Sequence, residues 1–180
     1  MARPRTTCIV AAFVASLLGP TATAVAACSG ASSRPTQTTL DRAVDATVCL
    51  INEARADHDL AALHTKSALE RAAIAHSRDM VKRDFFSHDS PSGTTPQQRI
   101  DRTGYLDGAR GWAVGETIAW GSGGYATPSA IVRGWLKSPG HRAILLDGHY
   151  RDLGIGIAVG APTDAGAGGA TFTGDFGARK

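Results

Sequence analysis

From Leu40 to Trp135 the apolar residues recur mostly three or four apart, whereas beyond Leu153 they alternate with small residues two apart. A helix shows the same face about every 3.6 residues and a strand every second residue, so this chain places helices first and strands later. That order excludes the repeating strand-helix pattern of a doubly wound parallel sheet. It points instead to the α+β class.

Individual elements follow from the same periodicities. Leu40, Val44, Val48 and Ile51 lie on one face of a helix that runs to about Arg55. Ser67-Ala68-Leu69-Glu70 has the form of a capping box, and Leu69, Ala73, His76 and Met80 continue one face of a second helix. Thr95-Pro96-Gln97-Gln98 repeats the device and opens a short third helix that Gly104 closes. Thr127-Pro128 opens a fourth, which turns Ile131 and Trp135 inward until Ser138-Pro139-Gly140 stops it. Leu153, Ile155, Ile157 and Val159 alternate with Gly154, Gly156 and Ala158, the pattern of a strand whose other face is closely approached. A final strand spans Ala170 to Phe176 after a Gly- and Ala-rich turn, and a further strand covers Ala113 to Trp120.

The N-terminus carries Arg3 and Arg5, an apolar run from Cys8 to Leu18, and the break Gly19-Pro20, which is the layout of a secretory signal peptide. Ala24-Val25-Ala26 supplies the small residues that a signal peptidase reads, so residues 1–26 are predicted to be a leader and residues 27–39 a Ser-, Thr- and Pro-rich flexible segment. Val25-Ala26-Ala27-Cys28 also fits a lipoprotein box, with Cys28 acylated and the protein membrane-anchored. Both readings place the protein outside the cytoplasm. No stretch is apolar for the roughly 20 residues that a membrane span requires.

Cys8 departs with the leader, which leaves Cys28 and Cys49 as a pair in an oxidising compartment and predicts a disulfide. Removal of Arg3 and Arg5 leaves 17 basic residues against 16 acidic ones, so net charge gives no support for nucleic-acid binding. The remaining length suits one domain, residues 40–180, and a monomer is the expected state.

Three stretches concentrate reactive side chains: Phe85-Phe86-Ser87-His88-Asp89-Ser90-Pro91, Val114-Gly115-Glu116-Thr117-Ile118-Ala119-Trp120, and Trp135-Leu136-Lys137-Ser138-Pro139-Gly140-His141-Arg142. In this order, with Cys49-Leu50-Ile51-Asn52-Glu53-Ala54-Arg55 before them and Leu153-Gly154-Ile155-Gly156-Ile157-Ala158-Val159 after them, they resemble the signature segments of bacterial CAP domains. CAP denotes the cysteine-rich secretory, antigen 5 and pathogenesis-related proteins. The resemblance implies an α-β-α sandwich, with a three- or four-stranded antiparallel sheet between helical layers and a cleft where the signature segments meet.

In fuller members that cleft holds two histidines and two glutamates able to bind a divalent metal. By position His88 matches the first histidine, Glu116 a glutamate and His141 the second histidine, while Ser138 stands where the second glutamate would be. The family's Gly-Glu-Asn is Gly115-Glu116-Thr117 here. Read from the residues alone, two imidazoles and one carboxylate make a first shell for zinc with a position open to water. No local ligand motif such as H-E-x-x-H accompanies them, and a neutral hydroxyl at Ser138 does not replace the lost charge.

Each residue also has a plainer role. His88 would anchor its loop, Glu116 would face solvent, and His141 would decorate a helix end. His76 reads as a satisfied core histidine, His58, His64 and His149 as surface residues, and Trp112, Trp120 and Trp135 as core and cleft wall. Three functions remain open at this point. The first is a secreted binding module whose cleft takes a small apolar or extended ligand, such as a lipid, with or without metal. The second is an extracellular hydrolase using zinc, or using Ser87, Ser90 or Ser138 as nucleophile, although no G-x-S-x-G elbow is present. The third is a structural or toxin-like interaction protein with a vestigial cleft.

Overall fold

The computed structural model describes residues 28–163 and 168–180. The predicted leader, its predicted cleavage junction and part of the turn after Gly160 lie outside the described residues. Among the described residues there are five α-helices: α1 Leu40–Ala56, α2 Ser67–Lys82, α3 Pro96–Asp101, α4 Pro128–Lys137 and α5 Pro139–Leu145. Among the same residues four strands form one sheet, β1 His64–Thr65, β2 Trp112–Ser122, β3 Asp152–Val159 and β4 Gly169–Arg179, and a 3₁₀ turn spans Gly123–Ala126. Helices precede the long hairpin of β3 and β4, in agreement with the α+β reading.

Helix ends follow local chemistry. At Thr95 the side-chain hydroxyl accepts from the Gln98 backbone N–H at 3.3 Å while the Gln98 side chain accepts from the Thr95 N–H at 3.1 Å, so the predicted capping box closes. The one predicted at Ser67 does not form. The residue that precedes α2 is Lys66, whose N–H donates to the Leu153 carbonyl at 2.9 Å and whose carbonyl accepts from Glu70 N–H. Sheet pairing runs to the first helical residue, which leaves Ser67 inside the helix with no cap bond from its side chain. Ser138-Pro139-Gly140 ends α4 as predicted, and Pro139 immediately opens α5.

The sheet order is β1-β3-β4-β2. β4 pairs antiparallel with both β2 and β3, whereas β1 pairs parallel with β3 through His64 opposite Asp152 and Thr65 opposite Leu153. The sheet is therefore mixed, which corrects the antiparallel expectation. Two residues offer no alternation to read, and a parallel pair depends on a distant crossover rather than a local turn.

Pairing fixes the two faces. Leu153, Ile155 and Ile157 stand level with Phe176, Gly174 and Phe172, and this face packs on α1, α4 and α5 through Ile51, Ile131, Trp135 and Leu145. Burial of each such side chain contributes about 1.5–3 kcal/mol. The other face carries Gly154, Gly156, Thr173 and Asp175, and α2 lies on it. A Cβ at Gly154 would collide with the backbone of Leu69 and Glu70, and one at Gly156 with that of Ala73 and Ile74. Glycine in β3 thus sets how near α2 comes. Helical layers on both faces make the α-β-α sandwich.

Cys28 and Cys49 form a disulfide with Cα atoms 5.7 Å apart, closing a separation of 21 residues onto α1. Closure of a loop of that size contributes about 3 kcal/mol. A sulfur in this bond is not free for acylation, so the pairing and the lipoprotein reading exclude each other at Cys28. Trp135 is core as expected, but Trp112 opens β2 on the surface, 44% exposed, and so is not core. No helix among the described residues is long and apolar enough to cross a membrane.

Candidate functional site

Glu116 enters the α2-facing side of the sheet because β2 pairs with β4 in a register that sets it directly opposite Asp175. Its side chain is almost fully buried, and a buried carboxylate needs partners. Three elements supply them. The loop after α2 brings His88, whose Nδ1 lies 2.8 Å from Oε1. α3 brings Arg99, whose terminal nitrogen donates to Oε2 at 2.6 Å. α2 brings His76, with Nε2 3.9 Å from Oε1.

Arg99 does more than neutralise Glu116. It donates to the His88 carbonyl at 2.8 Å and to the Thr94 carbonyl at 2.9 Å, so one guanidinium ties the His88 loop, the start of α3 and the carboxylate together. His88 is held at its backbone by Arg99 and at its ring by Glu116, and its side chain is half exposed. With Nδ1 donating to the carboxylate, Nε2 of the neutral ring is left as an acceptor or ligand atom.

His76 is buried as the sequence indicated but is only half satisfied. Its Nε2–H donates to the Ser87 carbonyl at 3.0 Å, while Nδ1 has no partner. Burial foremost holds its pKa below the ordinary imidazole value, with Arg99 adding to this against Glu116. Asp175 is fully buried, and burial foremost, then the facing Glu116, pushes its pKa well above the carboxylate range. As a carboxylate neither of its oxygens would have a donor. As a neutral acid Asp175 is itself the donor, to Glu116.

His141 sits in the first turn of α5 and shares a concavity of about 340 Å³ with His88, Phe86, Ser87, Asp89 and Ile118. Burial, and secondarily the neighbouring His88, lower its pKa, so it is neutral at pH 7. Ser138 terminates α4 and is half-buried, and its carbonyl accepts from Arg142 N–H at 2.8 Å. It does not line the concavity of the two histidines. On the other side of His88 a second hollow of about 540 Å³ runs along β2 past Gln97, Gly115 and Glu116 to the exposed Trp112. His88 is common to both hollows. Trp112 is thus a cleft wall, though not a core residue.

The donor set answers whether a metal fits. Among the described residues the ligand atoms of His88, Glu116 and His141 do not all come within 4.8 Å of one another. The group that does, Cys28, Cys49 and Glu53, contains the disulfide, whose sulfurs are bonded to each other. Both Glu116 oxygens are engaged, one by a guanidinium. What the concavity offers is two imidazoles, His88 and His141, with Glu116 hydrogen-bonded to His88.

A helix-covered sheet with an imidazole–carboxylate cleft beside its edge strand describes a class, and the comparisons with known proteins name it. Residues 48–176 match the model of the cysteine-rich secretory protein family, CAP, and the chain belongs to that family. It is 36% identical over 108 residues to the uncharacterized membrane protein YlbC of Bacillus subtilis strain 168, covering 60% of this chain and 29% of that protein. It is 31% identical over 107 residues to the uncharacterized protein YkwD of the same organism, covering 59% and 39%. The chain therefore matches well under half the length of these relatives.

Among solved structures, an extracellular protein containing an SCP domain from Bacillus anthracis strain Ames superposes with a TM-score of 0.64 at 29% identity, over 81% of this chain and 44% of that one. An outer surface protein of Borrelia burgdorferi gives 0.61 at 26% identity, over 74% and 90%.

Three residues of this arrangement escaped the sequence reading: Arg99, Asp175 and, as a neighbour of Glu116, His76. Asp175 had left a signal, an acid on the inward alternation of a buried strand. Arg99 left none, since an arginine on a short helix reads as surface.

Proposed function

We propose that the protein is a secreted CAP-domain binding module whose cleft takes a small apolar or extended ligand lying across His88. The carrying observation is the state of Glu116: both oxygens are occupied by His88 and Arg99, so the carboxylate positions an imidazole instead of standing free as a base. A hydrolase would need that base, or an activated serine, in contact with the reacting atoms. The two hollows that meet at His88, about 340 and 540 Å³, lie in the size range of small-molecule sites. Phe86, Ile118 and Trp112 offer apolar surface, and His88, His141 and Gln97 offer a few polar groups to fix orientation.

Secretion rests on the leader-like N-terminus together with the disulfide, and the similar proteins described as extracellular or outer-surface support it. The ligand class is tested by titrating the secreted protein with a fatty acid and with a sterol. Binding at 100 times Kd should stabilise by about 2.7 kcal/mol and change the fluorescence of Trp112. His88→Ala should weaken it. Saturating lipid that leaves both melting temperature and fluorescence unchanged, with either lipid, defeats the reading.

A second reading is favoured by the Glu116–His88 pair, an arrangement that orients metal-bound histidines elsewhere. Here His88 and His141 would hold a divalent ion, which would supply Lewis acidity. Glu116 would fix the His88 tautomer, and no second carboxylate would contribute. Zinc titration of untagged protein at pH 7 separates the two readings, and absence of binding removes the second.

A further inference from the structure

Arg99 also lines a separate concavity, of about 490 Å³, bounded by α2, the loop through residues 90–94 and α3. Its breadth comes from Ala72 and Ala75, whose short side chains leave room on the helix. Residues four apart on a helix share a face, so Arg71, Ala75, Asp79 and Arg83 follow one another along the same wall. α3 and the residues after it add Arg99, Arg102 and Thr103 from the facing side.

Four guanidinium groups therefore surround one hollow, and their charges are unequally matched. Arg99 is spent on Glu116. Arg83 is held by Asp79, the only acid on the lining, at 2.9 Å. Arg71 donates only to the Thr103 carbonyl, at 3.1 Å, and among the described residues neither Arg71 nor Arg102 has a carboxylate within 4.0 Å. Like charges brought round one concavity repel unless an anion lies between them. The hydroxyls of Ser92 and Thr94, 3.2 Å apart, stand at the same rim and supply further donors.

We infer that this hollow is a second binding site, distinct from the His88 cleft, that takes a phosphomonoester on a small polar body. Guanidinium forks match tetrahedral oxyanions, and a dianion with three terminal oxygens accepts from several forks at once where a carboxylate is filled by one. The volume exceeds what a phosphate alone would fill, so the site has space for an attached group of sugar or glycerol size. Apart from the two alanines every lining residue carries a polar group, which suits a soluble phosphate ester, while a phosphomonoester lipid headgroup presents the same chemistry from a membrane.

The secreted chain would be titrated calorimetrically with glycerol 3-phosphate and glucose 6-phosphate at constant ionic strength, with sodium sulfate as the control anion and phosphatidic acid vesicles in phosphatidylcholine as the membrane arm. The expected result is saturable binding of a phosphate ester, or of the vesicles if the source is a lipid, that sulfate does not reproduce. Loss of charge-assisted hydrogen bonds in an Arg71→Gln/Arg102→Gln variant should weaken it at least about tenfold while the circular dichroism spectrum is retained. Arg102→Gln alone serves if the double variant fails to fold, because Arg102 is bonded through its backbone N–H at the end of α3 and its side chain has no hydrogen bond or ion pair among the described residues. No saturation by either ester or by vesicles, equal binding of sulfate, or undiminished affinity in the folded variant overturns the site.

Discussion

One sheet has two unlike faces. On the side of α1 and α4, Leu153, Ile155, Ile157, Phe172 and Phe176 meet aliphatic and aromatic side chains. On the side of α2, glycine lets backbone approach backbone, and Thr173, Asp175 and Glu116 are enclosed with Ser77 and His76. Ser77 shows how closely that side is fitted, as its hydroxyl bonds both the Gly156 carbonyl at 2.9 Å and the Thr173 hydroxyl at 2.8 Å. The apolar face derives its stability from area removed from water, which is insensitive to direction. The polar face depends on donors and acceptors held at fixed positions, and it has not satisfied all of them. The candidate site grows from the second face, where the fold brings a carboxylate, two imidazoles and a guanidinium together at Glu116.

Substitutions in the two faces should fail differently. Phe172→Ala opens a cavity on the apolar side and is expected to cost about 3–5 kcal/mol, with the His88 cleft and its ligand affinity retained. Gly156→Ala meets the α2 backbone, which cannot rotate away as a side chain can, and is expected to cost about 3 kcal/mol. Because α2 carries His76 and leads into the His88 loop, this smaller loss of stability should be accompanied by loss of cleft binding. Denaturant titration and ligand titration of both variants would show it. Equal binding defects in the two would mean that the faces are not separable.

Acid–base behaviour is the second contrast, since the fully buried acid and the fully buried histidine, Asp175 and His76, both lie on the polar face. Asp175, its pKa raised by burial, retains a proton in the folded state that the unfolded chain gives up above about pH 3.9. The folded state then binds one more proton, so this group's contribution is full in acid and is lost as pH rises, by up to about 1.4 kcal/mol per pH unit, until its raised pKa is passed. His76 and His141 act in the opposite direction. Their depressed pKa values mean that the unfolded state takes up protons first, so their contribution is lost as pH falls below about 6.5. Asp175→Asn removes only the first of these. Its stability relative to the parent should increase from pH 4 towards neutrality, measured by melting temperature in matched buffers, and a flat difference would place Asp175 as ionised in the fold.

The faces also differed in how far the sequence exposed them. Alternation in β3 disclosed the apolar side, and the intervening glycines disclosed that something comes close on the other, because steric facts of that kind are written locally. His88, Glu116 and His141 were found through their signature segments, and the structure sets His88 Nδ1 2.8 Å from Glu116 and lines one concavity with His88 and His141. The clamp by Arg99 was not legible. It depends on α3 standing beside β2, a long-range placement that no local period encodes. β1 failed for the same reason, its two residues being a strand only because Arg151 and Leu153 offer carbonyls to His64 and Lys66.

The smallest contrast is between two similar motifs that border the polar face, Thr95 before α3 and Ser67 before α2. Each is a hydroxyl residue with Gln or Glu three positions on, and sequence alone treats them alike. Only Thr95 caps, since Lys66 occupies the cap position of α2 with its N–H already bonded to β3. Thr95→Ala should therefore cost about 1 kcal/mol, whereas Ser67→Ala should stay within about 0.5 kcal/mol. Site geometry should respond in the same sense. α3 carries Arg99, and Thr94, whose carbonyl Arg99 binds, adjoins the cap, so fraying there loosens the clamp on Glu116. Loss of cleft affinity in Thr95→Ala with no loss in Ser67→Ala is the expected pattern. Equal stability losses in the two variants would mean that the serine hydroxyl caps α2 after all and that the strand-to-helix junction at Lys66 is less tightly fixed than its hydrogen bonds indicate.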